Sequence, residues 1–404
     1  VCVQIMRPEP SEFAFHWGLN PETVFLNHGS FGATPLAILH EQRRWQDWME
    51  LEPVRFFEEL LPPALVESRE ALATMLSCDP DDLALIENAT SGVNTILRSF
   101  DFKPGDEILV PDHAYQACRN AIDFVASRND VTVVTVNIPF PLEGPEVVIE
   151  LILNSVTENT VLAMIDTVTS PTGLRMPFEE LTSLLEEKGV AVLLDAAHGI
   201  GMIPLSLKDL GASYVTSNAH KWLCAPKGSA FLYVRKDRQD KVHPLTISHG
   251  MTFPLGDTTR FRHEFDWTGT RDPSAWCTLP FVIEHISSIY EGGWQAIMER
   301  NHSLALEARE LLCEKLAIQP PCPDSMISTI ATLILPNSGF AGIPLHEPDP
   351  LHSRLLELGI QIPVWSWPSP EGRYIRISAH LHNCLEQYEY LAEVLLDELE
   401  KEQN

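Results

Sequence analysis

The sequence predicts an α/β fold built on a mostly parallel sheet, and three observations carry that prediction. Short apolar runs recur at 83–86 (LALI), 107–110 (EILV), 131–136 (VTVVTV), 161–165 (VLAMI), 190–194, 212–216 and 229–234 (SAFLYV). These runs are continuously apolar, as strands buried on both faces are, and helical patterns such as 91–100, 116–127 and 178–188 separate most of them. Five of the runs end in polar or ionisable groups, at the strand ends where ligands sit in open α/β sheets. The count gives a large domain with a seven-stranded sheet whose parallel neighbours are joined by crossovers.

The remaining elements frame that sheet. Residues 1–34 read as an irregular N-terminal segment, in which Val24-Phe25-Leu26 runs into Asn27-His28-Gly29-Ser30-Phe31-Gly32. Pro35 suits the first turn of a helix reaching about Leu51, and a second helix covers 63–77. The large domain spans 35–275 and closes on a loop-rich stretch, 235–275. A long helical stretch, about 276–316, opens a smaller α+β C-terminal domain, 276–404. Strand patterns at 328–335 and 373–378 and helices at 350–358 and 384–401 complete it. Pro320-Pro321-Cys322-Pro323 cannot continue a helix, and 336–350 is a proline- and glycine-rich loop.

Bulk properties exclude several classes of partner. A chain of 404 residues is too long for one small core. Its formal net charge of −28 argues against nucleic acid and anionic membrane surfaces. There is no uninterrupted apolar stretch long enough to cross a bilayer, and Arg7, Pro8, Glu9 and Pro10 leave no room for a signal-peptide core. Eight scattered cysteines without a CxxC pair fit a reduced, cytoplasmic protein better than a disulfide framework or a zinc site.

The strand ends carry the chemistry. Asp195 closes the run 190–194, and Lys221 follows 212–216 through Ser217, Asn218 and His220. A carboxylate at one strand end and a lysine just past its neighbour suit pyridoxal phosphate (PLP). The lysine forms a Schiff base with the aldehyde, and the carboxylate keeps the ring nitrogen protonated so that the ring accepts electrons. After 83–86, Asn88-Ala89-Thr90-Ser91-Gly92 opens a helix, and hydroxyls with free backbone N–H groups there make an anion cradle. Plain capping by Thr90 or Ser91 is the alternative. After 107–110, His113 and Tyr115 offer two flat rings, and after 161–165 comes Asp166-Thr167-Val168-Thr169-Ser170-Pro171-Thr172-Gly173. A metal site built from His113, Asp195, His198 and His220 is the rival reading, but HExxH-type spacing is missing.

Eight motifs carry a family resemblance: FLNHGSFGATP (25–35), NATSGVN (88–94), DHAY (112–115), VTSPTG (168–173), LLDAAHGIG (193–201), SNAHKWLCAPKGSAFLYV (217–234), TGT (268–270) and IRIS (375–378). They span nearly the whole chain. It resembles the class V aminotransferase superfamily of fold type I PLP enzymes, and within it the isopenicillin N epimerase-like group, with cysteine desulfurases and C–S lyases as cousins.

The resemblance implies roles. Lys221 would carry the cofactor and move protons at the substrate Cα, with Asp195 on the pyridine nitrogen. His198 would bond the phenolic oxygen or satisfy a backbone carbonyl. Thr169 would face that oxygen or the substrate, or simply shape a turn. Thr90, Ser91, Asn218 and His220 would hold the phosphate, with Thr270 reaching it from a neighbouring subunit in a homodimer. His113 or Tyr115 would stack on the ring, and Tyr115 would also serve as proton donor opposite Lys221. Arg376 would bind the substrate carboxylate as a planar fork, with Arg373 the structural alternative, and Asn27 and His28 would line the same pocket. Epimerisation at Cα leads the possible outcomes, followed by β-elimination of a thiol and by transamination. Residues 360–372 hold no cysteine for persulfide chemistry, which leaves Cys322 upstream.

Overall fold

The structure, a computed structural model, describes residues 6–256, 258–336, 347–368 and 371–403. In chain order its strands are β1 (Val24–Phe25), β2 (Leu83–Ile86), β3 (Glu107–Pro111), β4 (Thr132–Val136), β5 (Thr160–Asp166) and β6 (Ala191–Asp195). There follow β7 (Tyr214–Asn218), β8 (Ala230–Val234), β9 (Ile330–Leu335), β10 (Ile360–Gln361), β11 (Val364–Pro368) and β12 (Glu371–Ser378). The main sheet has seven strands in the order β2-β8-β7-β6-β5-β3-β4. Strand β8 pairs antiparallel with both neighbours and every other pairing is parallel. The carboxyl ends of β2, β3, β5, β6 and β7 therefore share one edge, which is the edge expected to hold the site.

Both faces of this sheet are covered, and the sequence alternates between them. Ala84, Ile86, Leu162, Met164, Leu193 and Leu232 belong to one apolar layer. Leu83, Leu85, Ala163, Ile165, Leu194 and Phe231 belong to a larger layer that continues to the C-terminal elements. Period-two side-chain alternation with apolar residues on both sides produces the unbroken runs seen in the sequence. Strand β7 starts at Tyr214 rather than at 212, because the Ser213 N–H donates to the Glu186 carboxylate (2.8 Å) and not to a ladder.

Several helix boundaries differ from expectation for identifiable reasons. Helical structure begins at Pro53, and a π turn at Phe56–Leu60 leads into the helix Leu61–Leu76. The wider turn accommodates Pro62 and Pro63, which have no N–H to donate. The long stretch 276–316 is three helices, Ser274–Cys277, Leu279–Ile289 and Gly293–Leu316. Pro280 restarts the second, and Gly292 and Gly293 at positive φ separate it from the third. A helix at Pro145–Asn154, with proline at its start, was not anticipated.

The C-terminal elements contain a three-stranded antiparallel sheet, β11-β12-β9. Strand β1 pairs in parallel with β10, so the N-terminal segment is tied to this region rather than loose. Of the loop expected at 336–350, residues 337–346 lie outside the described residues. No helix among the described residues is long and apolar enough to cross a membrane. The seven described cysteines are free thiols.

Candidate active site

Lys221 sits in the turn after β7, and two glycines let other segments close on that turn. A Cβ on Gly32 (φ +68°) would lie 2.2 Å from the His220 carbonyl oxygen, and one on Gly201 (φ +79°) 2.6 Å from that of Trp222. Neither position tolerates a side chain, which accounts for glycine in both motifs. The N-terminal segment also bonds to this region, through Lys227 Nζ to the Gly32 carbonyl (2.9 Å) and Thr34 Oγ1 to the Ala225 carbonyl (3.0 Å). Burial, with Arg376 nearby, lowers the Lys221 pKa to about 8, despite the opposing pull of Asp195.

Asp195 is 2% exposed at the end of β6. Its Oδ1 accepts from the Ala197 N–H (3.0 Å) and its Oδ2 from the Cys118 thiol (3.3 Å). Neither donor is cationic. Three residues on, His198 Nδ1 accepts from the Trp222 indole N–H at 2.9 Å. That bond fixes the proton on Nε2, which lies 3.5 Å from Lys221 Nζ. His198 is buried near Lys221 and Arg376 and stays neutral, its pKa well below the ordinary value. Trp222 is the group that sequence reasoning passed over. Its place beside the lysine was visible, but its bond to His198 arises only in three dimensions.

At the end of β2, the helix Ala89–Ser99 is capped by Asn88, whose side chain accepts from the Ser91 N–H (2.8 Å). The Thr90 and Ser91 hydroxyls are therefore not consumed as caps. Asn218 Oδ1 accepts from the Ala89 N–H (2.8 Å), so it holds this helix against β7. His220 Nδ1 donates to the Ser229 carbonyl (3.0 Å), and Nε2 is the nitrogen left over. Thr270 is exposed, beside Arg271, which ion-pairs with Glu87 just before the cap.

The two candidate arginines on β12 are sharply different. Arg373 is ion-paired to Asp349 (2.5 Å) and Glu402 (2.6 Å). Arg376 is 5% exposed and donates to neutral oxygens: the Ser170 carbonyl and Ser30 Oγ (3.2 Å). Its Nε has no partner, and no carboxylate pairs with it among the described residues. Asn27 accepts from Ser30 Oγ (2.7 Å), so it supports Arg376 through that serine. The guanidinium lies over the Trp365 ring at 5.8 Å. Burial lowers its pKa to about 10, a cost that an anion would offset.

Three further candidates are packed against the protein's own groups, two of them in line with alternatives the sequence left open. His113 is fully buried, with Nδ1 bonded to Thr172 Oγ1 (2.7 Å), Nε2 to the Ile138 carbonyl (2.9 Å) and Trp367 edge-on at 4.4 Å. It has no open face for a ligand, whereas Tyr115 is 47% exposed. Thr169 spends its hydroxyl on Thr172 Oγ1 (2.8 Å) and the Leu174 N–H (2.9 Å), as a turn former. His28 is also fully buried, donating from Nε2 to the Lys221 carbonyl (3.0 Å) while Nδ1 meets His382 Nε2 at 3.2 Å. It supports the lysine turn and has no free nitrogen for a substrate.

His28, His380 and His382 bring ring nitrogens within 4.8 Å of one another. His28 and His380 stack, however, at 4.2 Å and 16°. An ion bound by both would have to lie in both ring planes, which stacked rings do not allow. Burial lowers the pKa of each well below the ordinary value, and we read the group as a neutral packing cluster.

The family model for aminotransferase class-V matches residues 59–327. A probable L-cysteine desulfhydrase, chloroplastic, from Arabidopsis thaliana is 31% identical over 95% of this chain and 84% of that protein. The chain belongs to the class-V aminotransferase family. An isopenicillin N epimerase from Amycolatopsis lactamdurans is 30% identical over 93% of this chain and 95% of that protein. The solved cystine C-S lyase C-DES has a TM-score of 0.76 at 18% identity, covering 93% of this chain and 97% of that one, and supports the shared fold.

As a class-V family member the protein is a PLP-dependent enzyme acting on amino acids. The residues present fit the cofactor. Asp195 is a buried carboxylate with no ion-pair partner among the described residues, able to hold a ring N–H. Lys221 is an amine whose lowered pKa suits covalent capture of an aldehyde. The uncommitted hydroxyls of Thr90 and Ser91 at a helix N-terminus suit a phosphate. His198, as the Nε2–H tautomer, can donate to a phenolic oxygen.

Proposed function

We propose that this enzyme removes the Cα proton of a free amino acid and returns a proton to it, in the manner of an epimerase. The observation that carries this reading is Arg376, a buried guanidinium with no carboxylate partner among the described residues, near enough to Lys221 to help lower its pKa. An α-carboxylate held there would place Cα within reach of the lysine. PLP, when bound, supplies the aldehyde that captures the amine and a ring that withdraws electrons from Cα.

The chain's own groups divide the remaining work. Arg376 orients the carboxylate, with Ser170 and Ser30 fixing the fork. Lys221 takes the Cα proton on one face. Tyr115, half exposed and in electrostatic reach of Arg376, delivers a proton on the other. Asp195 keeps the ring nitrogen protonated, and Thr90, Ser91 and His220 hold the phosphate. A phosphate anion would reverse the lowered pKa of His220, now about 4, by favouring the doubly protonated ring.

A second reading, β-elimination from cysteine or cystine, is favoured by the aromatic wall beside Arg376. Trp365 lies over the guanidinium, and Trp367 packs on His113. Such a wall suits a small substrate with an apolar β-thiol. Persulfide transfer is disfavoured, because Cys322 is buried and its pKa is raised to about 11, mainly by that burial.

A homodimer that brings Thr270 to the partner's phosphate fits the exposed run Leu245, Ile247, Met251, Phe253 and Leu255. Free thiols suit a reducing compartment such as the cytoplasm.

Borohydride reduction of the PLP-loaded protein followed by peptide mass spectrometry tests the assignment, which requires the adduct on the Lys221 peptide. An adduct elsewhere sinks it. Amino acids are then incubated in heavy water while Cα exchange, sulfide and keto acid are followed. Exchange with inversion and no sulfide supports the first reading, and sulfide from cysteine or cystine supports the second.

A further inference from the structure

Strands β5 and β6 end in a pair of carboxyl groups of which the function above uses one. Asp166 stands opposite Asp195 in the parallel register. The two are 3% and 2% exposed. Two buried acids side by side cannot both ionise without a nearby cation for each. Their surroundings are unequal. Asp195 has a donor on each oxygen, the Ala197 N–H and the Cys118 thiol. Asp166 Oδ2 is buried without a hydrogen-bond partner. A carboxylate with one oxygen bare of donors is costlier as an anion than one with a donor on each oxygen, so the proton of the pair belongs on Asp166.

We propose that Asp166 is a positioning residue that holds a proton beside Asp195 and keeps the pair at a single negative charge. This rests on the assignment of Asp195 to the cofactor ring nitrogen, since a single charge is what one protonated ring nitrogen neutralises. A second charge would leave an unpaired anion in a dry site. The ionisable groups bearing on the pair are Cys118, packed against it from the helix Gln116–Asn129, and Lys221 from the turn after β7. Cys118 is a thiol at neutral pH, raised by burial and by Asp195, so it adds no charge. Burial and Asp195 raise the Asp166 pKa in agreement with this geometry.

The test compares wild type with Asp166→Asn, which copies the neutral acid in shape. An acid with a raised folded pKa lowers stability as pH climbs above its unfolded value of about 3.9. The asparagine variant lacks that loss. Without cofactor, its Tm should exceed that of wild type by about 2 °C near pH 8, with the gap closing toward pH 4. With cofactor, the visible band and the borohydride adduct on Lys221 should persist unshifted. A gap independent of pH, or loss of the band in the variant alone, would overturn the proposal. Absence of the adduct in wild type would instead overturn the cofactor assignment. Should the variant not fold, infrared spectra of wild-type protein at pH 7 decide. A protonated-carboxyl band that shifts on ¹³C-aspartate labelling supports the proposal, and its absence refutes it.

Discussion

The indole N–H of Trp222 donates to Nδ1 of His198 across 2.9 Å, and so a residue adjacent to the lysine sets the tautomer of a ring one strand away. Trp222→Phe should keep most of the buried volume and lose the bond. The expected result is a fall in kcat/KM of about tenfold, roughly 1.4 kcal/mol, with a shifted cofactor absorbance. His198→Gln, which still offers a donor, should retain more activity than His198→Leu. Equal kinetics for all three variants would show that the tautomer is irrelevant.

The two arginines of β12 should separate stability from function. Arg376→Gln should raise the KM and lower kcat/KM by about 100-fold, roughly 3 kcal/mol, with little loss of Tm, because a buried unpaired charge is removed. Arg373→Gln should cost about 3 kcal/mol in urea unfolding, since it leaves Asp349 without its cation and removes one of the two arginines paired with Glu402, which keeps Arg354. A reversed pattern would exchange their roles.

The amine of Lys221 should titrate low. In protein without cofactor its acylation rate, followed by peptide mass spectrometry, should rise with pH to a midpoint of about 8, against about 10.4 for an ordinary lysine. The sign for stability is opposite to that of a salt-bridged lysine. Burial opposes the charged form, so the penalty is full below pH 8 and vanishes above the unfolded value. Lys221→Met should therefore raise the Tm of this form at pH 7 and leave it unchanged at the highest pH tested.

At the helix after β2, capping and ligand binding are assigned to different residues. Asn88→Ala should destabilise by about 1 kcal/mol in chemical unfolding. Ser91→Ala should leave unfolding unchanged and weaken PLP binding by about tenfold, read by equilibrium dialysis. A large stability loss from Ser91→Ala would return that hydroxyl to a capping role.

The buried imidazoles predict acid sensitivity. His28, with its pKa lowered to about 3 mainly by burial, stays neutral in the fold, while the unfolded chain takes up protons below about 6.5. Stability is thus full above pH 6.5 and falls as pH drops toward 3. His28→Gln should flatten that fall, measured as Tm between pH 7 and 4.5. Chelator should not change it, and a chelator-induced drop would show that the cluster binds metal.

Much of the fold was readable along the chain because its signals are local. Continuous apolar runs marked the strands of the main sheet to within about two residues, and polar groups after five of them marked one edge. Lys221, Asp195, Thr90 and Ser91 could be placed in this way, since each lies within a few residues of a strand end. The bond partners were not readable. Arg373 and Arg376 are three apart on one strand, so their side chains leave on opposite faces, and no local pattern says which face meets an acid pair. His113 and Tyr115 offered equivalent rings until packing buried one and left the other open. The support of Arg376 by Ser30 and Ser170, of His198 by Trp222, and the meeting of Asp166 with Asp195 join residues distant in sequence. Chain-local chemistry determined what groups this protein carries to its sheet edge. Tertiary packing decided which of them remain unsatisfied, and those unsatisfied groups are the ones free to bind.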